Sequence, residues 1–172
     1  IPNIRFGQIT GYAEIRSGTI DLRGVDAGAD CDDAQIVGGT FTITRSRDYT
    51  FVVLPDESEP IQLEDDNSPT DPGRARVRLI NASPGSLALD VQDQGGITLF
   101  DDIRYNEPDD YDYITIAAGA YDLIVEPLAG DMVTFEIGTV TLQEGHVYTF
   151  FASGVVEAND DEEPFNVELI ED

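Results

Sequence analysis

TFTITRSRDYTFVVL, Thr40–Leu54, alternates apolar and polar residues, and the same rhythm returns at TVTLQEGHVYTFFASG, Thr139–Gly154. A period of two places every second side chain on one face of an extended chain, so both stretches read as half-buried antiparallel strands. ARVRLINA, Ala75–Ala82, follows the same rule. The 16 Gly and nine Pro fall mostly between such runs, and no window carries a helical stripe of useful length. Short strands separated by turn residues predict an all-β sandwich or barrel.

Working outward from these strands exposes an internal repeat. YAEIRSGTIDLRGVDAGAD, Tyr12–Asp30, lies without a gap against YITIAAGAYDLIVEPLAGD, Tyr113–Asp131. GTFTITRSRDYTF, Gly39–Phe51, lies against GTVTLQEGHVYTF, Gly138–Phe150, and EPIQLE, Glu59–Glu64, against EPFNVE, Glu163–Glu168. Each copy therefore runs through one hairpin with a Gly turn, a second ending in Tyr-Thr-Phe, and a short last strand. The second copy alone is preceded by ARVRLINASPGSLALDVQDQGG, Ala75–Gly96, which reads as two strands around a turn at Pro84-Gly85. The first copy is thus expected to lack about two strands. The aperiodic, acidic segment LEDDNSPTDPGRAR, Leu63–Arg76, separates the copies. The resulting layout is an incomplete sandwich domain at 1–66, a linker at 67–73 and a complete one at 74–172.

VRLINASPGSLALDVQDQGG (Val77–Gly96), YITIAAGAY (Tyr113–Tyr121) and LQEGHVYTF (Leu142–Phe150) occur in the order and spacing of a known repeat. On these motifs the chain resembles the exported β-sandwich family labelled domain of unknown function 4397, over about residues 74–172 and more weakly 6–66. The chain carries Asn81 where that family commonly has His, and Gly85-Ser86-Leu87 where Asp-Ala-Pro is common. The resemblance implies two tandem Ig-like antiparallel β-sandwich domains at a cell surface, and it supplies no catalytic residues.

Charge narrows the function classes. Asp and Glu number 35 against nine basic residues, all of them Arg, for a net charge of −26. No basic patch is available for phosphates, so nucleic acid and anionic membrane surfaces are excluded as partners. Self-repulsion of this size is tolerable where salt screens it, which points to saline surroundings, with a calcium-rich environment as the second explanation. One Cys and one His preclude an intramolecular disulfide and a Cys/His metal cluster. No apolar run reaches the roughly 20 residues that cross a bilayer. The opening IPNIRF has neither start Met nor signal-peptide character and reads as a processed, exported product.

Several residues are candidates for chemistry. Calcium takes six to eight oxygens, and loops at one end of a sandwich can gather them. The candidates are Asp109, Asp110 and Asp112 in EPDDYDY, followed by Asp30, Asp32 and Asp33; the competing reading is a solvated acidic surface. A carboxylate pair for glycoside hydrolysis would also need an aromatic-lined cleft, and the chain has no Trp, so no enzymatic activity is expected. Asp21 and Asp122, equivalent in the two copies, read as turn or strand-end residues. His146 reads as a surface turn residue, and Cys31 as an unpaired loop thiol. Asn81-Ala82-Ser83 is a glycosylation sequon, although the same residues form the family's turn motif.

Function then follows from the unequal repeat. A sandwich lacking strands exposes unpaired backbone groups and an open apolar groove, and a strand from a neighbouring copy can fill both. The donor candidates are Ile1, Pro2, Asn3, Ile4, Arg5 and Phe6. The expectation is a secreted subunit of a filament or surface layer, a homopolymer built by strand exchange without a cofactor. The alternative is a monomeric surface binding module for calcium or glycan.

Overall fold

A computed structural model describes residues 4–30, 32–33, 35–127 and 134–172. The chain is all-β and divides into two units, Ile1–Asp65 and Asp66–Asp172. No helix among the described residues is long and apolar enough to cross a membrane.

The first unit holds two hairpins. β1 (Gly18–Val25) pairs antiparallel with β2 (Gln35–Ile43), and β3 (Asp48–Val52) pairs antiparallel with β4 (Ile61–Asp65). A small core of Phe41, Ile43, Val52 and Leu54 lies between them. Phe41 meets Phe51 edge-on, with ring centroids 5.0 Å apart. Gln62 Nε2 donates to the Thr42 carbonyl at 3.0 Å and Gly38 N–H to the Ser58 carbonyl at 2.9 Å, which ties one hairpin to the other.

The second unit is a full sandwich. Its strands are β5 (Arg74–Asn81), β6 (Ala88–Asp93), β7 (Thr98–Arg104), β8 (Ile114–Ala117), β9 (Gly119–Pro127), β10 (Phe135–Leu142), β11 (Val147–Ser153) and β12 (Asn166–Glu171). One sheet runs β10-β9-β6-β7 and the other β12-β11-β5-β8. All pairs are antiparallel except β5 with β11, which run parallel and join segments far apart in sequence. Alternating inward residues from both sheets, including Leu79, Leu89, Val91, Leu123, Leu142 and Phe150, are buried to within 1 %. Each such side chain contributes about 1.5–3 kcal/mol of burial. Residues predicted as a free linker are partly fastened to this unit: Arg76 donates to the carbonyls of Asp66 at 2.7 Å and Ser68 at 3.0 Å.

The repeat is visible in the registers. Ile20 faces Phe41 as Tyr121 faces Val140, and Asp21 faces Thr40 as Asp122 faces Thr139. Three details differ from the sequence reading. Asp21 and Asp122 lie inside β1 and β9, not at strand ends. The two strands read in Ala75–Gly96 are β5 and β6, but a third, β7, follows them; its alternation is broken by register shifts in the β6–β7 pairing and by Asp102 at φ 58°. The last strands are offset from the EPIQLE–EPFNVE alignment: Tyr49 faces Glu64 as Tyr148 faces Glu171, so Asp65 corresponds to Asp172. A longer connection in the second copy absorbs the difference.

Candidate interaction surface

In the second unit β9 has β6 as its other neighbour and β11 has β5, so each hairpin is extended by a further strand within its own sheet. The first unit contains the same hairpins, yet among the described residues neither β1 nor β3 has a second neighbour. β8, whose partner is β5, corresponds to the segment after Tyr12, and that segment forms no strand. A strand needs a ladder partner to satisfy its backbone, and here the partner's equivalent is absent from the copy.

Side chains report the same deficit. Six of the eight exposed large hydrophobic residues among the described ones are in the smaller unit: Ile4 (52 %), Phe6, Tyr12, Ile15 (54 %), Ile36 and Val53. Tyr113 and Ile116, the counterparts of Tyr12 and Ile15, lie beside β5 and are only partly exposed. Exposed apolar side chains beside open sheet edges form a template for another strand.

One polar cluster recurs in both units. In the second unit Tyr113 O–H donates to Asp172 Oδ2 at 2.8 Å, and Thr149 Oγ1 donates to the same carboxylate at 2.8 Å. Arg78, from β5, donates its Nε–H to Thr149 Oγ1 at 2.9 Å and lies 4.6 Å over the Tyr113 ring. Arg78 is 1 % exposed, so this guanidinium is held by an aromatic face and polar contacts out of water. The first unit has three of these four groups in matching positions. Tyr12 O–H donates to Asp65 Oδ2 at 2.8 Å and Thr50 Oγ1 donates to it at 2.9 Å, with Asp65 buried. Among the described residues no strand of the first unit takes the place of β5.

Two further pairs confirm the correspondence. Arg47 meets Glu64 at 2.8 Å as His146 Nδ1 meets Glu171 at 2.8 Å. Thr44 N–H donates to Tyr49 Oη as Gln143 N–H donates to Tyr148 Oη. His146 thus sits in its surface turn, paired to a carboxylate.

The acidic loops are spent locally. Asp110, on a 3-10 turn at Pro108–Asp110, takes Arg104 in a two-pronged bridge at 2.8 and 2.9 Å. Hydrogen bonding from Arg104 holds its carboxyl below the usual carboxylate range, and Asp110 in turn raises the Arg104 guanidinium. Asp109 and Asp112 are exposed. Asp33 caps its own turn by accepting the Asp30 N–H at 2.8 Å, and Asp32 is exposed. Among the described residues no group of three or more His, Cys, Asp or Glu converges. Ile4, Arg5 and Phe6 are exposed, with the Arg5 carbonyl accepting the Gln8 N–H at 3.0 Å; Ile1, Pro2, Asn3 and Cys31 lie outside the described residues.

Asn81 is a structural residue. It is fully buried, donating Nδ2–H to the Ile103 carbonyl at 3.0 Å and accepting Ser83 N–H and Ser86 Oγ–H at 3.1 Å. Tyr111 O–H donates to the Asn81 carbonyl at 2.7 Å, and burial pushes its phenol up to about 12. Ser83 Oγ donates to the Gly154 carbonyl at 2.7 Å. The NASPGS turn therefore stitches β5 to the end of β7 and to the residue after β11, and the sequon's side chain is inaccessible in the folded unit.

No curated protein matches this chain. Among solved structures, the C-terminal domain of AlgF from P. aeruginosa is similar over 60 % of this chain and 100 % of its own length, at 14 % identity and a TM-score of 0.39. The family described as "Domain of unknown function (DUF4397)" matches twice, over residues 1–92 and 78–168. With both copies matched, the chain belongs to the DUF4397 family.

Proposed function

We propose that this chain is a non-catalytic structural subunit of an extracellular filament or surface layer in saline surroundings, assembled by β-strand donation between copies. The observation that carries the reading is the first unit, which keeps both hairpins of the complete sandwich without the strand that flanks each of them in its own sheet there. A donated strand lying along β3 as β5 lies along β11 would satisfy the open edge of β3 and cover Tyr12 and Ile15 in one step. Because the donor and acceptor surfaces differ, the contact is heterologous and propagates instead of closing. Each copy carries −26, so assembly should strengthen as salt shortens the screening length from about 10 Å at 0.1 M to about 3 Å at 1 M.

Purified chain examined by negative-stain microscopy and sedimentation across this salt range tests the proposal. Filaments or concentration-dependent oligomers at high salt are expected. A strict monomer at every salt, with β1–β4 amides as protected from hydrogen exchange as those of β5–β12, would refute it and leave a monomeric surface binding module as the reading.

A further inference from the structure

β1 carries the other open edge of the first unit. It pairs with β2 on one side and, among the described residues, with no strand on the other, where β6 lies against the equivalent β9 of the second unit. Leu22 faces Gly39 in the first hairpin as Leu123 faces Gly138 in the second, so the two leucines are counterparts. Leu123, beside β6, is 0 % exposed, whereas Leu22 is only half-buried. On the other face of β1, Asp21 and Arg23 stand two residues apart, both exposed, and bridge at 2.9 Å. The aspartate recurs as Asp122, but the place of Arg23 is held by Ile124, which has Gln92 of β6 across from it. The cation thus belongs to the copy whose edge is open.

We propose that β1 is a self-complementary docking edge whose occupant is β1 of a second copy, antiparallel and in register about Leu22. A two-fold contact sets residue i against residue j and j against i. Centred on Leu22, it places Asp21 against Arg23 of the second copy and Arg23 against Asp21 of the second copy. Leu22 then meets its own counterpart on the inner face. Both outward pairs are of opposite charge, in the cross-strand position where such pairs stabilise and like charges repel. Sliding the register by two residues sets Asp21 against Asp21 or Arg23 against Arg23, so charge selects the pairing. The inner leucines supply the apolar cover that β6 gives Leu123, and the outward N–H and C=O groups of the edge gain a ladder. The first unit is also where two copies of so acidic a chain can best approach: it holds 12 Asp and Glu against five Arg, and the second unit 23 against four. Strand donation along β3 leaves this edge open, so the contact stands independently of that reading, and where both hold it ties filaments side by side.

The test exchanges the charges. Asp21→Arg and Arg23→Asp are made separately and together, and hydrogen exchange of the Gly18–Val25 amides is followed against protein concentration. At about 0.5 M salt, repulsion between whole copies is muted while touching side chains still interact. The wild-type chain is expected to gain β1 protection as concentration rises. Either single variant sets like charges against each other and should need about tenfold or more protein for the same protection. An equimolar mixture of the two single variants should recover it, as should the double variant alone, because each restores opposite charges in both cross-strand pairs. Asp21→Arg is the sharpest case: it lowers the net negative charge, so general electrostatics predicts stronger association where the two-fold pairing predicts weaker. Wild-type β1 protection that ignores concentration, single variants that protect β1 as well as wild type does, or a mixture no better than its components would overturn the proposal. Sedimentation in parallel separates the two readings. A wild-type dimer with protected β1 and no filament overturns strand donation alone, and filaments with unprotected β1 overturn the β1 contact alone.

Discussion

Replacing Asn81 with Ala tests whether the NASPGS turn is the fastening that holds the second sandwich together. The side chain serves three partners: the Ile103 carbonyl at 3.0 Å, and the Ser83 N–H and Ser86 hydroxyl at 3.1 Å. Ser86 retains the Ser83 carbonyl at 2.8 Å as an alternative acceptor, so two backbone groups lose their side-chain partner. At about 1–3 kcal/mol for each buried group left unsatisfied, the cost is about 2–6 kcal/mol, a large share of the roughly 5–15 kcal/mol that holds a domain folded. Asn81→Asp keeps the acceptor oxygen but loses the donor to Ile103 and buries a charge, so it should destabilise at least as much at neutral pH. Urea unfolding followed by tyrosine fluorescence measures the loss, and hydrogen exchange assigns it to β5, β7 and β11, because the two units need not melt together. An Asn81→Ala chain within about 0.5 kcal/mol of wild type would refute the reasoning, since that is the range of a neutral surface change.

Three other outcomes follow from the same unit. Gly154 sits at φ 82°, where a Cβ would collide with the Pro164 carbonyl, so Gly154→Ala should lower stability by more than about 1 kcal/mol in the same urea assay and loosen the Val155–Pro164 bridge. The Asp110 carboxyl titrates below its ordinary value in the fold, so the Arg104 bridge contributes stability above the unfolded carboxyl's pKa that is lost as pH falls through the folded value. The stability gap between wild type and Asp110→Asn should accordingly close on acidification below about pH 4. Tyr111, pushed up to about 12, contributes in the opposite sense: its stabilisation is complete below pH 10 and is lost as pH rises toward 12, a window that ultraviolet titration of wild type against Tyr111→Phe should reveal.

The strands themselves were legible because alternation is a local property. Thr40–Leu54 and Thr139–Gly154 declare their hairpins residue by residue, and the Tyr12 and Tyr113 segments declare the repeat by plain similarity. β7 escaped notice because Asp102 and the β6–β7 register shifts interrupt the period that would have announced it. The correspondence of Asp65 with Asp172 was hidden by the similarity of EPIQLE to EPFNVE, since connection length can shift a short match without altering the strand pairing.

Read alone, the amino-acid order determined an all-β, strongly acidic, repeated chain with one copy shorter than the other, since composition and period-two patterning need no knowledge of distant contacts. Only the tertiary structure decided what the missing part of that copy would have touched. The parallel meeting of β5 with β11 brings Arg78 to Thr149, 71 residues away, and stacks it on Tyr113. Its three-residue echo at Tyr12, Thr50 and Asp65 is likewise assembled from separate segments, and a pattern of neighbours along the chain carries no record of which side chains will meet across a sheet.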